Sequence, residues 1–449
     1  MKKQLFLSTG LVLTSLLGFV GCGNELTSSE QQKVYKDEVK EINQKTTNKF
    51  EEEYKKDNFA FTFNTNANAA LKGSISTYST TTDLSGNTTS TTPEVTTLNE
   101  SISADATAIL SFDTAYYRAL NTTSPKSSNE SYAYVEANAK ASFSDAVKEY
   151  LEVSDEEVKA QTVLKDGTGT AYAKVNTNQE GETFTYNTYD NYISAGVATI
   201  DQVLTKETTK ERIEELRKIL KTYASVDTEN SAQYSKYIDV VCDALKSLSE
   251  IEASDEITTD EIYEIVETYY KQYVGKSIDE ETKTKIKTIV EKVVTVIKEY
   301  EIITVSKQTS NSETNYTYSL NYSNLITAVK AALEAVKQYA IEQVPAQSTQ
   351  ITTTFSQITT IIDTYLANIN VTQNLTFTVK DNLLTGVKEE FKVADFTFAY
   401  PVSSSYNNET GVTIKYASIS ISEASFTTSF SYEFNAKAKA DLPTVPTLA

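Results

Sequence analysis

The side chains that most often do chemistry are thiols, imidazoles and clustered carboxylates. This chain has two cysteines, Cys22 and Cys242, and no histidine. The missing imidazole excludes Ser-His-Asp and Cys-His catalysis and His-ligated zinc. Cys242 sits in "YIDVVCDAL" on a helical face with Ile238, Leu245 and Leu248. That setting reads as a buried core thiol, with a nucleophile as the competing role. Carboxylates gather in "SDEE" (154–157), "SDEITTDE" (254–261) and "DEE" (279–281). Each run falls where a helix is predicted to begin, so capping and the helix dipole account for it. Weak calcium binding or an acid–base pair is the alternative, and glycosidic cleavage needs two carboxylates at a defined separation in a cleft. The chain has no Gly-rich phosphate loop, nucleophile elbow, EF-hand loop or thiolate cluster. No catalytic residue, metal ligand or cofactor is assigned from the sequence.

Cys22 ends a distinctive leader. Lys2 and Lys3 precede an acid-free run from Leu5 to Val20 that is apolar or small. As a helix it spans roughly 25 Å, slightly short for the ~30 Å core of a bilayer. A positive start, a short apolar middle and a small residue at the end make a secretory signal. Phe19-Val20-Gly21-Cys22 resembles the lipobox of bacterial lipoproteins, usually written Leu-Ala/Ser-Gly/Ala-Cys. Gly21 and Cys22 match it, and Phe19 stands where Leu is usual. The resemblance implies cleavage between Gly21 and Cys22 and a diacylglycerol on the Cys22 sulfur. Each buried CH2 is worth about 0.8 kcal/mol, and two chains anchor stably where one does not. An acylated Cys22 leaves Cys242 with no disulfide partner. A signal with an unmodified cysteine and an uncleaved membrane helix are the competing readings.

Composition bounds the rest. The 449 residues carry a formal charge of −20, and 29 Tyr and 17 Phe suffice for real cores. No basic patch stands out, so nucleic acid is not an expected partner. Anionic lipid head groups would repel such a body, which gives a covalent anchor its purpose. With only 13 Gly and 6 Pro, few residues are spent on tight turns and many on long elements.

Periodicity sets the elements. A helical stretch over 30–57, with Val34, Val39, Ile42, Phe50 and Tyr54 along one side, reads as a stalk after a polar tether, with a loose linker as the alternative. Odd positions from Phe59 to Ile75 are apolar, which predicts one long strand followed by a Ser/Thr/Asn-rich loop over 79–94. Even positions from Leu98 to Tyr116 predict a second strand, and Ala133 to Phe143 a third. These read as an antiparallel meander whose buried face is rich in Ala, leaving room for helices or a ligand. Helices are predicted over 144–151 and 154–165, the latter from a Ser154/Glu157 capping box. Strands are predicted over 169–176 and 182–189.

Over 190–300 the period becomes 3.6, with four helices marked by Ile213–Tyr223, Tyr234–Leu248, Ile262–Tyr273 and Ile286–Tyr300, and capping boxes at Thr208/Glu211, Thr258/Glu261 and Ser277/Glu280. Strands over 301–308 and 314–322 precede a helix pair, 324–344 and 348–368, broken at Pro345. Strands over 370–380, 386–400, 411–422 and 425–436 and an extended tail end the chain. Segment 181–204 is similar to 312–336, each an aromatic strand leading into a helix. A duplicated unit and chance similarity both account for this.

Together these readings predict an α+β fold: a long, curved antiparallel sheet packed on helices, with a helical block in the middle of the chain. Residues 1–21 are the expected signal peptide and 22–57 a lipid-anchored tether and stalk helix. Residues 58–189 form the N-terminal β-rich part, 190–300 the helical block, and 301–449 the C-terminal β-rich part. The order of elements over 58–440 resembles the LolA/LppX-like lipoprotein-carrier superfamily, although the helical block is larger than usual there and could form a separate bundle. That resemblance implies a sheet wrapped around helices and enclosing an apolar cavity.

The expected protein is a non-enzymatic binding or carrier protein. It is held by the lipid on Cys22 to the extracytoplasmic face of a bacterial membrane and takes an apolar or lipid ligand. A surface structural or adhesion protein that grips a protein or glycan is the second reading. A carboxylate-based hydrolase is the third.

Overall fold

The computed structural model describes residues 27–120, 131–165, 168–175, 182–186, 190–226, 231–236, 238–239, 242–243, 280–297, 299–310, 312–367, 369–435 and 442. The fold is α+β. Helix α1 (Thr27–Lys55) leads into β1 (Asn58–Thr82), β2 (Thr88–Ser90) and β3 (Glu94–Asp113). Helix α2 (Thr114–Leu120), β4 (Tyr132–Ser142), α3 (Asp145–Leu151), β5 (Glu156–Lys165), β6 (Thr168–Val175) and β7 (Glu182–Tyr186) follow. Helices α4 (Asp190–Leu204), α5 (Thr209–Ala224) and α6 (Glu280–Ile297) occupy the middle of the chain. Strands β8 (Ile303–Ser310) and β9 (Glu313–Leu320) precede helices α7 (Tyr322–Gln343) and α8 (Ser348–Ile361). Strands β10 (Asn370–Lys380), β11 (Leu383–Ala394), β12 (Phe396–Asn407) and β13 (Gly411–Glu433) complete the described elements.

The strands join one antiparallel sheet in the order β7-β6-β5-β4-β3-β1-β13-β11-β10-β9-β8, with β12 paired to β13 and β2 to β1. The chain therefore starts in the centre, winds out to the β7 edge, and resumes at the β8 edge to meander back. Eleven strands run from edge to edge, a path of about 48 Å across ten strand spacings. A connection that crosses it must be long, and the helical block is that connection. The last strand closes on the first: Thr62–Thr82 pairs with Val412–Glu433.

Register gives the sheet two unlike faces. One carries Phe59, Phe61 and Leu71 of β1, the even residues of β3, and Val387 and Phe391 of β11. The other carries Asn64, Asn66 and Asn68 opposite Thr107, Asp105 and Ser103. On the apolar face, α1 lays Val39 and Ile42 against Tyr316, Phe377, Val379, Leu384 and Val387. Its last turns pack Phe50 and Tyr54 on Phe59 and Phe61. The segment expected as a stalk is thus a core helix, and of Val34, Val39, Ile42, Phe50 and Tyr54 only Val34 is exposed. Its irregular spacing reflects contact with several strands that it crosses. At the end of α1, the buried Tyr54 hydroxyl donates to the Val197 carbonyl at 2.9 Å, and Arg118 grips Asp201. These contacts tie α1, α2 and α4 together.

Other expectations are corrected as well. Residues 156–165 form strand β5, not a helix: Val158, Ala160, Thr162 and Leu164 face Ala139, Ala137, Val135 and Ala133 of β4. Alternation on an existing sheet edge outweighs a two-residue capping signal. Tyr116 belongs to α2 rather than to a strand, because the Asp113 carboxylate accepts its backbone N–H and starts a helix. The loop expected over 79–94 shrinks to a turn at 83–87, where Asp83 accepts from Ser85 and Asn87. Thr80, Thr81 and Thr82 extend β1, Thr88 and Thr89 lie in β2, and 91–93 connect β2 to β3, as β-branched side chains favour the extended state. The capping box at Thr208/Glu211 is present, while Thr258, Glu261, Ser277 and the helix at 262–273 lie outside the described residues.

A fault line crosses the sheet. The strands expected at 411–422 and 425–436 are one strand, and the one expected at 386–400 is two. Lys72 pairs with Glu423 but Gly73 pairs with Ile421, so Ser422 bulges out and the alternation changes phase. At the same level Asp395 takes a φ of 60° and separates β11 from β12. Gly73 is required here, since a Cβ on it would lie 2.2 Å from the Ser420 carbonyl oxygen. Gly73→Ala is expected to lower stability by about 2 kcal/mol or more in urea unfolding, by forcing the two central strands apart.

Candidate functional site

The sequence-predicted site residues do not converge. Gly21 and Cys22 lie outside the described residues, as does the acidic run at 254–261. Cys242 is fully buried, and burial pushes its thiol up, away from the reactive thiolate. In the 154–157 run, Asp155 accepts from the Phe143 backbone and pairs with Lys148 at 2.9 Å. Glu280 and Glu281 lie in the first turn of α6. Among the described residues no three Cys, Asp or Glu side chains come together as a metal group would require. No described helix is long and apolar enough to cross a membrane.

What the fold does assemble is a surface. Beyond the part covered by α1, the apolar face runs across β5, β4, β3 and β1 as rows of small side chains. One row reads Val158, Ala139, Ala104, Ala67. The next toward α1 reads Ala160, Ala137, Ala106, Thr65. On the other side stand Ile102 and, two strands over, Phe426 beside Phe391. Ile102 is 53% exposed, Val135 42% and Phe426 40%, and Val158 at the end of the alanine row is 37% exposed. Branched and aromatic walls beside an alanine floor make an apolar trough open to solvent. Contiguous exposed apolar surface of this kind marks a place where something binds. The Ala-rich pattern of these strands was visible in the sequence.

A charged residue of the trough was not anticipated. The row through Ala67 continues into Thr428 of β13, Glu389 of β11 and Leu375 of β10. Glu389 stands between Val387 and Phe391, where alternation calls for an apolar residue. That break in period within "VKEEFKV" was the available signal. Among the described residues it has no ion-pair or hydrogen-bond partner, and burial alone pushes its carboxyl upward. Its neighbours Lys388 and Lys392 project to the polar face, where they pair with Glu390 and Glu423.

Two other polar groupings serve structure. Glu38 accepts from Lys307 at 2.7 Å and from the Tyr316 hydroxyl at 2.6 Å, latching α1 to β8 and β9. On the polar face Tyr134 donates to Glu136 beneath Leu442; burial first, and then that carboxylate, raise its hydroxyl to about 12. A cleft of about 660 Å³ opens between α7 and the ends of β8–β10, lined by Leu320, Tyr322, Ile326, Lys330, Ile369 and Val371 among others. Segments 181–204 and 312–336 are both strand-to-helix units, β7 into α4 and β9 into α7, near opposite edges of the sheet.

No protein-family model, curated protein or solved structure matches the chain.

The unpaired carboxyl has a thermodynamic signature. The folded chain holds the Glu389 proton more tightly than the unfolded chain does, so its ionised form opposes folding. Stability then falls as pH rises from the ordinary carboxylate pKa through the raised one. Glu389→Gln is expected to be more stable than the native protein near neutral pH. The advantage should vanish in acid below the ordinary carboxylate range, as read by urea midpoints across pH.

Proposed function

We propose that this protein is a non-enzymatic carrier or binding protein that holds an apolar or lipid ligand against its sheet. It is anchored by an acylated Cys22 to the extracytoplasmic face of a bacterial membrane. One observation carries the reading: the row Val158–Ala139–Ala104–Ala67 leaves a small-residue floor open to solvent beside exposed Ile102 and Phe426. The strands–helices–strands order shared with the LolA/LppX-like superfamily supports the same reading. A hydrolase finds less support, because Glu389 is the one described carboxyl pushed upward and no second acid perturbs it.

A second reading has its own observation. Beyond the fault line β12, β13, β1, the start of β3 and β2 continue as a ribbon. On its polar face Tyr78 stacks on Tyr416 with ring centres 5.3 Å apart, and Tyr406 is 64% exposed. Stacked, half-exposed tyrosines suit adhesion to a protein or glycan surface.

Folded, delipidated protein is expected to take up an apolar dye, and Ala104→Phe to weaken that uptake about tenfold by filling the floor. A native protein that excludes the dye would overturn the carrier reading. Loss of surface attachment in Tyr406→Ala would then support adhesion. Mass spectrometry of protein from membranes is expected to find Cys22 as a diacylated first residue; a chain still beginning at Met1 would overturn the anchor.

A further inference from the structure

We infer that the trough is selective for a single-chain amphiphile with a protonated amine head, which Glu389 receives while the alkyl chain lies along the alanine row. The inference rests on the carrier reading and adds the chemistry of the head group.

Three observations carry it. The first is alignment. Val158, Ala139, Ala104, Ala67, Thr428 and Glu389 lie in one transverse row, each opposite the next across the ladder. Five strand spacings separate its ends, about 24 Å. That is the reach of a long alkyl chain, with the carboxylate at one end, Thr428 next to it, and Ala67, Ala104, Ala139 and Val158 beneath the rest.

The second is the want of a counter-charge among the described residues. An ionised carboxylate among Leu375, Val387 and Phe391 is costly unless a cation meets it. The lysines on either side of it in sequence are committed on the opposite face, Lys388 to Glu390 and Lys392 to Glu423. Lys307, which shares the apolar face, is held by Glu38. A ligand ammonium would complete the site with a charge-assisted hydrogen bond.

The third is sign. The chain carries a formal charge of −20, which disfavours anionic amphiphiles such as fatty acids and attracts cationic ones. That long-range attraction is general, so the test must separate it from a local contact.

Glu390 provides the control. It is the next residue on β11, is also acidic, and faces the other side of the sheet. Dodecylamine, dodecanol and dodecanoate share one chain and differ in head group. Binding of each below its aggregation threshold would be measured on the native protein, Glu389→Gln, Glu390→Gln and Ala104→Phe. The native protein is expected to bind the amine about tenfold more tightly than the alcohol. Glu389→Gln should abolish that preference, and Glu390→Gln should keep it. Ala104→Phe should weaken all three ligands alike.

Equal affinity for the amine and the alcohol, or an equal loss in both glutamine variants, would overturn the inference while leaving an apolar carrier standing. Binding of none of the three would overturn the carrier reading and the inference with it.

Discussion

The ladder between β1 and β13 is the constraint on which the molecule depends. The two β-rich parts of the chain are separated by the helical block, and this pairing makes them one sheet. Its partners are about 350 residues apart, as in Lys72 with Glu423, so its loop closure carries a large entropic cost. The cost is offset by a very long antiparallel contact and by the aromatic cluster where Phe61, Tyr432 and Phe434 meet under Phe50 of α1. The bulge at Ser422 lies within this ladder. It changes which residues face the core, and it divides the body that carries α1 from the tyrosine-bearing ribbon.

The second governing feature is how α1 divides the apolar face. Packing Val39, Ile42 and Tyr54 on the sheet covers Tyr316, Phe377, Val379, Leu384 and Val387 of β9–β11 and Phe59 of β1. The rows it leaves uncovered include those built from alanine. These lie where no helix supplies partner atoms, with Ile102 and Phe426 exposed beside them. Glu389 marks the border between the two regions, one row beyond Val387. A carboxyl that opposes folding at such a border is the kind of stability–function compromise that binding sites show.

Much of this was legible from pattern alone. Alternation located β1, β3, β4 and the returning strands, and the 3.6 period located α5, α6 and α7. Errors arose where a local signal competed with long-range pairing. Ser154 and Glu157 look like a helix start, but Val158–Leu164 is captured by the open edge of β4. Residues 411–433 look like two strands because a bulge shifts their phase, and a phase shift reads in one dimension like a break. The α1 segment looks like a stalk because a helix that crosses several strands shows no clean stripe.

The sequence by itself determined the two-faced strands, the helical middle, the absence of imidazole chemistry, and an acid-free apolar run that ends at Cys22. These depend on residue type and local period, which a linear chain displays. Which strands became neighbours, which rows α1 covered, and that Glu389 aligned with Ala67, Ala104 and Ala139 were decided only by tertiary structure. Such alignment is a matter of register between segments hundreds of residues apart. Register is set by the sum of many cross-strand contacts and one bulge, and no local stretch of sequence contains that sum.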